Sequence, residues 1–390
     1  MKKYSRSRMY VKTVFATWTL LLLFFLPSAF AADPYNLCVT TDFSSVDANL
    51  GIVQTKVIEM VIKDVNAAGG IKGRPINLII QDNGSDPSRA VGNVKMFKDQ
   101  YKCKVMLVDI TSGVCLALKQ WGEVNKIPMV CASPQSNKIT VENQKAWIFR
   151  ACSNANLNIN SSLARIKKLG YTKIAFEGTT LAYGLDTLAT VKELAPKYGL
   201  QLVHSVNVEP KTKDLSIQIK QMRDSGAQAV ICADFDAETT VLARAMSAIG
   251  WKPYVIQTSS ANFNSALGLV DPKLMEGWET VSIADSSRPL VQSIWKRTKA
   301  FAPNIRIDED EKAIRAYDQV SLLVEALKAA KNIEDSESIR DAFYNISPKY
   351  VWATGTGRGK GGFTTAKNHL LDVNDLVIYV AKGGKVTPVR

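Results

Sequence analysis

The sequence predicts an α/β protein of two doubly wound lobes, each a parallel sheet with helices on both faces. Three observations predict it. Short apolar runs rich in β-branched residues alternate with stretches whose apolar residues recur at helical spacing, and the alternation runs twice along the chain. A length of 390 residues suits two domains. A composition of 46% apolar and 22% charged residues is that of a folded globular chain. Right-handed crossovers turn such alternation into doubly wound sheets.

The elements follow in order. Residues 37–41 form the first apolar run. Val53, Val57, Ile58, Val61, Ile62 and Val65 then mark one helix face, closed by Gly69-Gly70, where glycine supplies a left-handed exit. Residues 76–80 read as a strand. Asp86-Pro87 is an N-cap followed by proline at the first helical position, and that helix runs to about Gln100. A strand at 105–108, a helix at 114–124 and a strand at 128–131 complete the first series. The second series has helices at 157–169, 185–198, 215–225 and 237–249. Its strands are 173–176, 202–208, 229–232 and 254–257. The last third breaks the rhythm with three helices, 290–301, 311–330 and 336–344. A glycine-rich loop at 355–362 precedes a strand pair, 376–381 and 385–388, around Gly383-Gly384.

The N-terminus reads as an export signal. Lys2, Lys3, Arg6, Arg8 and Lys12 precede a 13-residue apolar centre, and Ala29-Phe30-Ala31 provides a small-residue exit. Cleavage after Ala31 removes five positive charges and lowers the net charge from +13 to +8 over 359 residues. The remaining cations are dispersed, with no basic block and no basic–aromatic interleaving, so nucleic acid is excluded as a partner. Export permits disulfides among Cys38, Cys103, Cys115, Cys131, Cys152 and Cys232. Six cysteines allow fifteen complete pairings, and the sequence does not choose among them. Cys38, Cys131 and Cys232 lie in strand-like runs, where a buried thiol is as expected as a bridge.

Catalytic motifs are missing. There is no G-x-S-x-G elbow, no H-E-x-x-H and no C-x-x-C. His204 and His369 have no nucleophile motif beside them. Gly357, Gly359 and Gly362 match a phosphate-binding spacing, but no strand leads in and no helix pattern follows, so the segment reads as a connection. Asp308 to Glu311 reads as a solvated acidic run that favours the helix after it. Asp234 and Asp236 end an apolar strand and precede a helix. Ligands bind beyond the carboxyl ends of such strands, which makes both candidate contacts. Neither an enzyme nor a cofactor is expected.

One stretch is more specific. Asn66-Ala67-Ala68-Gly69-Gly70-Ile71-Lys72-Gly73 is followed by Gln81-Asp82 and by Asp86-Pro87-Ser88-Arg89-Ala90-Val91. This resembles the periplasmic leucine/isoleucine/valine-binding protein family, the type I solute receptors of ABC importers. Weaker matches continue at Ser133-Pro134, Phe149-Arg150, Tyr183-Gly184, Met275-Glu276-Gly277 and Gly383-Gly384-Lys385. The resemblance covers essentially the whole chain after Ala31. It implies a type I periplasmic binding protein whose two lobes are joined by three crossovers around a ligand cleft. The crossovers would fall near residues 150–153, 277–282 and 352–357. Residues 1–31 would be the signal peptide, 32–150 with 281–352 the first lobe, and 151–280 with 353–390 the second.

The resemblance also implies a site. Ser112, opening a helix after Ile110-Thr111, matches the serine that grips a ligand carboxylate, and a helix N-terminus suits an anion in any case. Gln135, Ser136 and Asn137 occupy the next donor loop. Tyr183 and Phe235 match aromatic positions of the second lobe. The family's glutamate, which holds an amino acid's ammonium, aligns with Ser259. Either Asp234, Asp236 or Asp109 replaces it, or the ligand has no ammonium. The family's paired cysteines are replaced by Gly84 or Ser85 and by Thr111. The function implied is that of a monomeric periplasmic receptor, closing on an amino acid of branched-chain type and delivering it to an ABC permease of the inner membrane. The alternatives are an aromatic or aliphatic carboxylate or amide as ligand, or a ligand-sensing role without transport.

Overall fold

The computed structural model describes residues 33–45, 47–108, 111–140, 144–357, 362–365 and 371–389. The expected signal peptide, Asp109, His369 and the centre of the glycine-rich loop lie outside the described residues.

The first lobe is a five-stranded parallel sheet. Its strands are β1 (Tyr35–Thr41), β2 (Ile76–Asp82), β3 (Met106–Val108), β4 (Met129–Cys131) and β5 (Ile148–Arg150), in the order β2-β1-β3-β4-β5. Helices α1 (Ala48–Ala67), α2 (Pro87–Asp99) and α3 (Ser112–Asn125) connect the first four strands. The sheet order reverses beside β1, as in doubly wound folds.

The second lobe holds α4 (Ala155–Lys168), β6 (Lys173–Thr179), α5 (Ala182–Leu194), β7 (Gln201–Val208) and α6 (Ser216–Asp224). It continues through β8 (Ala229–Ala233), α7 (Asp236–Ala248), β9 (Tyr254–Gln257), α8 (Ser260–Leu267) and β10 (Glu279–Ser282). The chain then returns to the first lobe for α9 (Pro289–Phe301), α10 (Glu311–Ala329) and α11 (Ser336–Ile346). It ends with β11 (Val377–Lys382) and β12 (Lys385–Pro388) on the edge of the second sheet. That sheet runs β12-β11-β10-β9-β8-β6-β7, parallel except for the antiparallel β11 and β12.

Period-two alternation feeds two cores per sheet. In β1, Leu37 and Val39 face the core shared with α1, α9, α10 and α11, whereas Cys38 faces the one shared with α2 and α3. In β8, Val230 and Cys232 pack towards α6, α7 and α8, while Ile231 packs towards α4 and α5. The central strands are covered on both faces and read as continuous apolar runs, whereas the edge strands β2, β7 and β12 are partly exposed.

Local signals hold where chemistry enforces them. Asp86 Oδ1 accepts from the amides of Ser88 (2.7 Å) and Arg89 (3.1 Å), capping α2. Gly70 has φ +75° after α1, and a Cβ there would lie 2.0 Å from the Arg74 carbonyl oxygen. Cys38 and Cys103 form a disulfide, while Cys115, Cys131, Cys152 and Cys232 are buried thiols.

Two expectations are corrected. Residues 277–282 are not a crossover, because Glu279–Ser282 is strand β10, which spans the expected boundary between residues 280 and 281. The chain leaves the second sheet after Ser282. The acidic run before α10 is not solvated along its length, since Asp310 and Glu311 are 2% and 3% exposed. Two of the passages between lobes lie side by side. Gly355 N donates to Ile283 O (2.6 Å), and Arg288 Nη1 donates to the carbonyls of Ala353 (2.9 Å) and Gly355 (2.6 Å).

Candidate ligand-binding site

A narrow cavity of about 30 Å³ lies between the lobes. Most of its wall comes from the carboxyl ends of parallel strands, where the helices that follow present their N-termini.

The first lobe contributes polar groups. Thr111 and Ser112 follow β3 and open α3, and Ser133 and Gln135 follow β4. Ser112 Oγ accepts from Ser136 N (3.2 Å), which ties the two loops together. Beneath them, Gln319 on α10 donates to the carbonyls of Val108 (3.0 Å) and Val130 (2.6 Å). Gln54 Nε2 donates to Gln319 Oε1 (2.7 Å), and Thr41 Oγ1 donates to Gln54 Oε1 (2.6 Å). This buried chain satisfies backbone groups that the strand ends would otherwise strand. Arg150, fully buried, donates to Ser136 O (2.7 Å) and fixes the β4 loop from behind.

The second lobe contributes aromatics. Tyr183 opens α5 and Phe235 precedes α7, with ring centroids 6.1 Å apart. Gly184 permits that placement, because a Cβ there would lie 2.1 Å from the Thr179 carbonyl oxygen. Tyr183 Oη hydrogen-bonds Thr258 Oγ1 (2.5 Å). Burial raises the Tyr183 hydroxyl pKa, so it stays protonated. Asn262 completes this side and donates to Asp234 O (2.8 Å).

Of the residues expected from sequence, the cavity brings together Ser112, Gln135, Tyr183, Phe235 and Ser259. The other four stand outside its wall. Ser136 donates to Asp186 on α5, which also pairs with Lys138 (2.9 Å). Asn137 donates to Thr190 Oγ1 (2.9 Å) and Asn156 Oδ1 (3.0 Å), so both loop residues bridge the lobes. Asp234 is fully buried and accepts from Thr239 Oγ1 (2.7 Å) and Gln257 Nε2 (2.6 Å). Glu177, at the end of the neighbouring strand, is held well above the usual carboxyl range by burial and by Asp234. Asp234 is itself pushed up to about 6, chiefly by burial. Asp236 Oδ1 accepts from Ala237 N (2.8 Å) at the start of α7.

Four wall residues escape sequence reasoning: Asp47, Leu50, Asn262 and Arg315. Asp47 precedes α1 without capping it through its side chain, and burial together with Asp236 pushes its carboxyl up to about 8. Arg315 reaches the cavity from α10, at a position that periodicity shows only as a polar break in a helix. Ser259 Oγ donates to Glu311 Oε1 (2.9 Å), one turn before Arg315.

Among the described residues, no group of histidines, cysteines and acids could hold a metal ion, and no helix is long and apolar enough to cross a membrane. The sequence pattern of the periplasmic binding protein family matches residues 34–385. The chain belongs to that family. This periplasmic binding protein is 23% identical to Leu/Ile/Val-binding protein homolog 3 of Brucella melitensis over 296 residues, 75% of this chain and 78% of the relative. Leu/Ile/Val-binding protein homolog 8 of Brucella abortus matches over 54% of each chain at 23% identity. Among solved structures, a type 1 periplasmic binding protein of Bordetella pertussis has a TM-score of 0.80 at 17% identity, covering 92% of this chain and 100% of that one. The substrate-binding protein LivJ of Streptococcus pneumoniae, solved with isoleucine, has a TM-score of 0.78 at 17% identity, covering 91% and 99%. The structural likenesses establish the type I periplasmic binding protein fold.

Proposed function

We propose that this chain is an exported solute receptor. It captures a small carboxylate-bearing ligand between its lobes and presents the closed form to an ABC permease of the inner membrane. The observation that carries the reading is the composition of the cavity. A helix N-terminus and hydroxyl donors line one wall, and two aromatic rings line the other. Such a cavity orders a polar head and shelters an apolar body. Contacts between the lobes flank it. Ser136, Lys138 and Asn137 meet α5, and Lys312 Nζ donates to Ala261 O (3.2 Å) and Ser265 Oγ (3.0 Å) of α8. Bound ligand would favour the arrangement in which these contacts form, a population shift that a permease can read.

The division into two lobes belongs to the same proposal, expected as 32–150 with 281–352 and 151–280 with 353–390 but with the second lobe running through β10 to Ser282, and with the signal at 1–31 removed on export. The names of the relatives point to amino acids as ligands, and related carboxylates fit the same polar wall. A thermal-shift screen of the purified mature protein tests the reading, with amino acids, aliphatic and aromatic carboxylates, amides and sugars as probes. A ligand that binds only the folded chain raises the midpoint by mass action. Stabilisation by members of one chemical class is the expected result. A flat response to the whole panel would count against a receptor.

A further inference from the structure

Arg315 is 2% exposed and forms part of the cavity wall. A guanidinium carries five N–H donors. Among the described residues its one ion-pair contact is Glu311 Oε1, 3.5 Å from Nη2, and neither Nε nor Nη2 has a hydrogen-bond partner. Glu311 is engaged elsewhere. Its carboxylate accepts from Ser259 Oγ (2.9 Å), Ala261 N (3.4 Å) and Ile283 N (3.2 Å). A buried guanidinium with free donors is expensive unless something supplies acceptors. Its position supplies the reason. Arg315 lies one helical turn before Gln319, which bonds the ends of β3 and β4, so it shares one cavity with Thr111, Ser112 and Ser133.

At the Ser259 corner the resemblance expects a carboxylate facing an ammonium. Here Ser259 bonds Glu311, whose carboxylate is turned to the protein and lies outside the cavity wall, and the charge that lines the cavity is Arg315, one turn further along α10. We propose that Arg315 makes this cleft a receptor for organic acids: the ligand sets a carboxylate against Arg315 and carries no ammonium. The inference rests on the receptor reading above and narrows its ligand. Asp47 on the wall does not oppose it. Its raised pKa leaves it largely protonated at neutral pH in the unfilled cleft, so it offers a donor rather than a competing charge.

Calorimetric titration of the mature protein at pH 7 tests this with pairs differing only in the ammonium. The pairs are leucine with 4-methylpentanoate, phenylalanine with 3-phenylpropanoate, and glutamate with glutarate. The expected result is that at least one acid binds about ten-fold or more tightly than its amino partner. Arg315→Gln should weaken that acid about 30-fold, and Arg315→Lys should restore part of the loss. Arg223→Gln, which removes an exposed charge near the end of α6, should leave affinity unchanged. Circular dichroism and the unliganded midpoint check folding. If Arg315→Gln does not fold, the wild-type pairs and Arg315→Lys decide. Tighter binding of the amino partners, lost in Asp47→Asn, would overturn the inference and assign the ammonium to Asp47. Acid binding indifferent to a folded Arg315→Gln would also overturn it. Binding of neutral amides or sugars alone would overturn it while leaving the receptor standing, and binding of no probe would overturn both.

Discussion

The two walls of the cleft are built by different physics. The first-lobe wall is polar and held from beneath by a buried chain of hydrogen bonds, Thr41 to Gln54 to Gln319 to the ends of β3 and β4. The second-lobe wall is aromatic, with a buried carboxyl pair, Glu177 and Asp234, behind it. The contrast teaches a division of labour. In the proposed reading, one lobe fixes the direction of a charged head, and the other supplies surface that excludes water from it. Low local polarity strengthens each head contact, so the second wall raises the worth of the first.

The largest expected effect tests the support of the first wall. Gln319→Leu strands the Val108 and Val130 carbonyls and should cost about 4 kcal/mol of stability, read as the urea midpoint. A loss below about 1 kcal/mol would mean that the strand ends find other partners. Phe235→Ala comes next. It should cost about 3 kcal/mol of stability and reduce affinity most for ligands with the largest apolar body. An equal loss for small and large ligands would break the proposed division between walls. Ser112→Ala should weaken carboxylate binding by about 1–3 kcal/mol in calorimetry and, because it orphans the buried Ser136 amide, should lower stability by a similar amount.

The carboxyl pair behind the second wall gives a pH test. Glu177 has a folded pKa raised well above its ordinary 4.5, so the native chain keeps a proton that the unfolded chain releases. That contribution is complete below pH 4.5 and is lost as pH rises towards the folded pKa. Glu177→Gln should therefore flatten the fall in stability above pH 4.5, by at most about 1.4 kcal/mol per pH unit, in denaturation series from pH 5 to 8. The charged neighbours Asp234 and Glu238 remain in that variant, and a slope identical to wild type would show that Glu177 is ionised in the fold. The smallest effect is at the rim. Asp186→Asn removes the partner of an exposed Lys138 and should shift closure by less than about 1 kcal/mol, seen as a faster ligand off-rate.

Legibility in the sequence followed element length. Helices such as α1 and α10 announce themselves through repeated apolar positions, and α2 through its Asp-Pro cap. The three residues of β5, the four of β10 and the eight of α8 are too short for periodicity to register. Missing β10 moved the expected crossover into a strand. Residues of the cavity wall were legible where the family resemblance places them in loops after strands, as with Ser112, Gln135, Tyr183, Phe235 and Ser259. Glu311 and Arg315 were not, because both lie in what reads as a charged helix start.

The sequence by itself determined the alternation of elements, the two lobes and the family, since these rest on local periodicity and on motifs contiguous in the chain. Only the tertiary structure decided which charges face the cleft. An acidic run is solvated by default, and it took the packing of α10 across the strand ends and against α8 to bury Glu311 and turn Arg315 inward. Burial is a property of neighbours far apart in sequence, and burial decides whether a charge is a surface ornament or a ligand contact.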